Sequence, residues 1–87
     1  MCGIGALIRL EDSNEQVITH AVKNMFIELQ KKGEHASGVC AIFPDHQEIL
    51  KQPGAADKFI KTSEFNDFMR RNWNARIMLI HCRHATI

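Results

Sequence analysis

Apolar residues run almost unbroken from Ile4 to Leu10, with Arg9 the one interruption. A short continuous apolar run of this kind predicts a strand buried on both faces. The period then changes. Val17, Ile18, Ala21, Val22, Met25, Phe26 and Leu29 recur at three- and four-residue intervals, the spacing of a single stripe along a helix. The ends of that helix are marked as well. Ser13 followed by Gln16 fits a capping box, and Glu15 suits the positive end of the helix dipole. Lys31 and Lys32 lie near the negative end, and Gly33 is a natural terminator.

Beyond Gly33 the pattern shortens. The segment SGVCAIF predicts a second strand, PDHQ a turn, and EILKQ a returning strand that completes a hairpin. PGAADKF reads as a loop. Thr62 or Ser63 can cap a short helix reaching Asn72, with Phe65, Phe68 and Met69 facing inward. The last segment, ARIMLIHCR, alternates as a strand does. Met78, Ile80, Cys82 and His84 fall on one face, and Ile77, Leu79, His81 and Arg83 on the other.

The order strand, helix, strand, strand, helix, strand predicts an α+β fold in which helices cover a sheet. At 87 residues the chain is one small domain, and such a chain buries only ~60% of its unfolded surface. The final strand runs into the last residue, so residues 1–87 are expected to be the N-terminal portion of something larger.

Composition narrows the function classes. Charges nearly cancel, with a net charge of +1, which gives no reason to invoke nucleic acid or an anionic membrane as partner. The apolar runs are too short to span a bilayer. No basic segment followed by a hydrophobic stretch opens the chain, and a cytoplasmic location is expected. The cysteines Cys2, Cys40 and Cys82 are odd in number, widely spaced and outside any C-x-x-C pair. They read as free thiols rather than a disulfide framework.

Candidate chemistry lies in three stretches. In MCGI, removal of Met1 would leave Cys2 with both a thiol and a free α-amine. A thiol titrates near ~8.5 and an α-amine near ~7.7–8.0, so one residue would hold a nucleophile and a base suited to neutral pH. The bland alternative is a core cysteine at a strand start. In KKGEHASG, His35 and Ser37 are polar groups between two glycines, although a plain helix-to-strand turn with a C-cap glycine explains this stretch better when it is taken alone. In HCRHAT, Arg83 offers a planar fork for a carboxylate and Thr86 a hydroxyl. His81, Cys82 and His84 suggest a metal, but alternation sets His81 on the opposite face from the other two, and no metal or other cofactor is expected.

Taken together, MCGI, KKGEHASG and IHCRHATI resemble, in order and spacing, the class II glutamine amidotransferase domains. These are N-terminal-nucleophile glutaminases. The resemblance implies a four-layer α/β/β/α sandwich, here apparently truncated. It implies that Cys2 attacks the side-chain amide of glutamine, giving glutamate and ammonia through a thioester, with its own amine as general base. By the same resemblance Arg83 grips the α-carboxylate, Thr86 and its backbone help hold the substrate, and His84 takes the family's aromatic position beside the arginine. Departures from the family pattern are Ala6 and Ile80 for glycines, Lys32 for an arginine and Cys82 for a threonine. The family's oxyanion-hole asparagine and glycine, and the aspartate that reads the substrate amine, would lie beyond residue 87. One lost oxyanion donor can cost ~10²–10³ in rate, so this chain alone is expected to be a poor catalyst.

The expected partners are glutamine as substrate and either a synthase domain or a missing C-terminal segment. The ammonia acceptor is open. The alternative is a truncated or degenerate non-catalytic homologue acting as an interaction module, able to form homo-oligomers through an exposed edge strand such as the terminal one.

Overall fold

The apolar runs become four strands of one antiparallel sheet. The computed structural model describes residues 2–84, apart from the side chain of Lys32. Strand β1 spans Cys2–Ile8, helix α1 Glu15–Leu29, strand β2 Ala36–Ile42 and strand β3 Gln47–Pro53. Helix α2 spans Ala56–Phe59, helix α3 Ser63–Asn72 and strand β4 Ile77–Arg83. A 3₁₀ turn over Gln30–Lys32 extends α1. The strands lie in the order β1-β4-β2-β3, every neighbouring pair antiparallel. The fold is a small α+β unit, with three α-helices among the described residues.

The helices all lie on one side of the sheet. Side chains alternate along a strand, so Leu7, Ile80, Met78, Val39, Ala41 and Leu50 face the helices. Ile18, Val22 and Phe26 come down from α1 to meet them. Phe26, Phe59 and Phe65, one from each helix, form an edge-to-face cluster with ring centroids 5.3–6.0 Å apart, the arrangement aromatic quadrupoles favour. Asn72 ties α3 to β3 beneath the core. Its buried Nδ2 donates to Phe68 O at 3.0 Å and to Glu48 Oε2 at 2.9 Å.

Several expectations are corrected. β1 begins at Cys2 and stops at Ile8. It is an edge strand buried on one face only, since Ile4 is 73% and Ile8 68% exposed. Helix α1 is capped by Asn14, not Ser13, and the Asn14 side chain accepts a hydrogen bond from Val17 N at 3.0 Å. PGAADKF is not all loop, because its second half forms α2. Its glycine is nevertheless required, since Gly54 has φ +113°, a region side chains avoid.

Gly33 has φ −178°, which any residue adopts, so it is no left-handed terminator. A Cβ there would come within 2.5 Å of the Arg83 carbonyl carbon and 2.7 Å of His84 N. Glycine is needed because the chain passes hard against the end of β4. That end is not an edge either. β4 is paired on both sides, by β1 and β2, and the open edges are β1 and β3. The terminal strand is therefore not an exposed edge, and an edge-strand association of the kind expected would have to use β1 or β3.

Candidate functional site

The register of the sheet collects the chemistry at one end of it. Cys2 starts β1, Arg83 ends β4, Ala36 starts β2 and Pro53 ends β3, and these four are direct cross-strand neighbours. Residues opposite one another in an antiparallel pair point to the same face, with Cβ atoms about 4.5–5.5 Å apart. Cys2 and Arg83 therefore sit side by side on the face away from the helices. Both are exposed. The placement comes from the sequence in a simple way. An odd-numbered offset within either strand would have sent one of the two into the core, as happens to Cys82, which is fully buried.

Three contacts fix this end. His35 N donates to Arg83 O at 2.8 Å, extending the β2–β4 ladder past its last paired residues. Gly54 N donates to His35 O at 2.9 Å, and Ser37 Oγ donates to Gly54 O at 3.0 Å. The imidazoles of His35 and His84 stack with centroids 4.5 Å apart and planes 26° from parallel. His84 thus lies beside Arg83, outside β4, and Thr86 lies outside the described residues. Met1, whose removal frees the α-amine of Cys2, also falls outside them.

The next row inward on the same face is Ile4, His81, Gly38 and Lys51, again direct neighbours. Behind it come Ala6, Leu79, Cys40 and Ile49, then Ile8, Ile77, Ile42 and Gln47. The face grades from polar at the Cys2 end to apolar at the other. A hollow of about 400 Å³ lies over it, lined among others by Ile4, Gly38, Lys51, Leu79, His81 and Arg83.

The three thiols differ in setting. Cys2 is exposed, Cys40 half-buried on the open face and Cys82 buried in the core, where burial pushes its thiol above the ordinary range. Only the first combines access with a neighbouring cation. His81 lies on the open face and Cys82 on the helix face. Among the described residues no three His, Cys, Asp or Glu side chains form a group able to hold a metal ion.

Sequence reasoning did not give Lys51 a place in the site, and it named His35 and His84 without bringing them together. The alternation of EILKQ carries a signal for the first, since Ile49 and Lys51 share a face. Which face that is depends on the strand order, which is not written in the local pattern. Chemically, the arrangement sets a nucleophilic sulfur beside a guanidinium able to hold a carboxylate.

Compared with known protein families, with curated proteins and with solved structures, the chain matches none.

Proposed function

We propose that the chain is the N-terminal part of a glutamine-hydrolysing domain, with Cys2 as nucleophile and Arg83 as the anchor for the substrate's α-carboxylate. The observation that carries this reading is the cross-strand pairing of Cys2 with Arg83 on an accessible face. The two residues lie eighty-one positions apart in sequence, in the motifs MCGI and HCRHAT, and their adjacency supports the reading. The α-amine of Cys2, free once Met1 is removed, takes the thiol proton. Sulfur attacks the amide carbon, and the amine passes its proton to the departing ammonia. Water then releases glutamate from the thioester. His84, stacked on His35, borders the carboxylate anchor. Thr86 belongs to the proposed site through its motif alone.

The four-layer sandwich is part of this proposal. The sheet has helices on one face, and Ile4, Ile8, Ile49 and Leu79 are exposed on the other at 73%, 68%, 52% and 38%. Contiguous exposed apolar surface of this kind marks an interaction face. A second sheet stacked there would bury it and would supply the oxyanion donors. No helix among the described residues is long and apolar enough to cross a membrane. A cytoplasmic location is likewise proposed.

The same open face favours a second reading, a non-catalytic module that docks through it. Treating the chain with a glutamine-analogue diazoketone and mapping the adduct by peptide mass spectrometry separates the two. Alkylation at Cys2, blocked by excess L-glutamine, is the expected result. Labelling spread over Cys40 and Cys2 without protection, or none at all, leaves the docking module.

A further inference from the structure

The site extends beyond what free glutamine needs. From β1 to β3, its polar end presents Cys2, Arg83, Ala36 and Pro53 in the outermost row, and the bare backbone at Gly38 and then Lys51 in the next row inward. Adjacent strands are about 4.8 Å apart, so the floor continues roughly 10 Å past Arg83. A glutamine with its amide at Cys2 and its carboxylate at Arg83 ends at β4. The hollow, which takes in Arg83 with Cys2 outside its lining, lies over β2 and is lined there by Ala36, Gly38 and Cys40.

Lys51 closes the far side. A Cβ built on Gly38 would stand 3.3 Å from Lys51 Cγ and 3.6 Å from Leu50 O. The lysine stem therefore leans from β3 across Gly38 toward the centre of the sheet, in the space a larger residue would occupy. Lys51, His81 and Arg83 all line this hollow, and no aspartate or glutamate does. Among the described residues, neither Lys51 nor Arg83 pairs with a carboxylate, although three lysine or arginine pairs with carboxylates occur elsewhere on the surface. Among the described residues, two cations share an apolar-floored hollow with no internal counter-charge. The complementary ligand has two anionic groups joined by a largely apolar span.

We infer that the molecule taken at this site is a glutamine carrying a further acidic group on its α-amino side, the α-carboxylate held by Arg83 and the extra anion by Lys51. This rests on the glutamine reading of Cys2 and Arg83 and specifies its substrate class. Short peptides ending in glutamine, with an acidic residue before it, have this chemistry. The appended residue crosses Gly38, and its carboxylate meets the ammonium of Lys51.

The test is calorimetric titration of the full chain, carrying Cys2→Ala to prevent turnover, with L-α-aspartyl-L-glutamine and L-alanyl-L-glutamine. A charge-assisted contact of this kind corresponds to about tenfold in affinity, and the aspartyl peptide should bind tighter by that factor. Lys51→Gln should erase the difference and leave the alanyl peptide unchanged, while Lys51→Arg should keep it. Equal affinities for the two peptides would overturn the inference, as would a preference that survives Lys51→Gln. If the diazoketone labels Cys2 yet the peptides bind alike, only the acidic extension falls. If Cys2 is not labelled and neither peptide binds, the glutamine reading falls with it.

Discussion

The two faces of the sheet are built from the same four strands and have opposite fates. On one face Ile80, Met78, Val39 and Ala41 lie under three helices and are buried. On the other Ile4, Ile8, Ile49 and Leu79 are exposed. Side-chain chemistry alone does not distinguish them, since both are rich in aliphatic residues. The open face differs by its polar end, where Cys2, Arg83, His81 and Lys51 gather. The covered face has no such gradient and places its thiol, Cys82, in the core. One face maintains the fold, and the other is open and carries the site proposed above.

That contrast can be broken most sharply at the cysteines. Exchange of Cys82 with an aromatic disulfide should require unfolding. For a domain stable by about 5 kcal/mol, it should run about a thousandfold or more slower than exchange of Cys2. Comparable rates would mean that the covered face is not closed. The pH dependence follows from the raised Cys82 thiol. The unfolded chain loses this proton at lower pH than the folded one, so stability is fully present below the unfolded thiol's pKa and is lost as pH rises above it. Urea midpoints measured across the alkaline range should fall, and Cys82→Ala should remove that part of the fall.

Core truncation comes next. Phe26→Ala should cost about 3–5 kcal/mol, most of the stability of a chain this size. Ile4→Ala on the open face should stay within about 0.5 kcal/mol. Urea denaturation followed by circular dichroism measures both, and similar losses would erase the distinction between the faces. Gly33→Ala tests the junction between fold and site. A Cβ there meets the Arg83 backbone, and relieving the overlap should cost about 1–3 kcal/mol and displace Arg83, slowing diazoketone labelling of Cys2 as well. The smallest effect expected is that of Asn14→Ala, about 1 kcal/mol from the lost helix cap, with labelling of Cys2 unchanged.

What could be read in the sequence was what a single period encodes. The α1 stripe, a cap at Thr62 or Ser63, of which the 3.1 Å bond from Phe65 N selects Thr62, and the alternation of β4 all depend on neighbours a few residues away. β1 was harder. Apolar on both faces, it carries no period, and the run from Ile4 does not show that only one side has a cover. Asn14 and Ser13 are both good caps, and the choice between them depends on where the chain leaves β1. α2, four residues long, is shorter than any hydrophobic period can reveal. The candidate site was half legible. Cys2 and Arg83 stand out by type and motif, but their adjacency requires β4 to lie between β1 and β2, a tertiary fact. Lys51 enters the site only through that same strand order.

The most direct measurement compares two alkylating agents on the chain and on Arg83→Gln. Cys2 modification by the glutamine-analogue diazoketone should slow about tenfold or more in the variant, because a charge-assisted carboxylate contact is lost. Modification by iodoacetamide, which has no carboxylate, should be unchanged. If both reagents slow equally, or neither does, Arg83 holds no substrate beside Cys2, and the glutaminase reading of this face is contradicted.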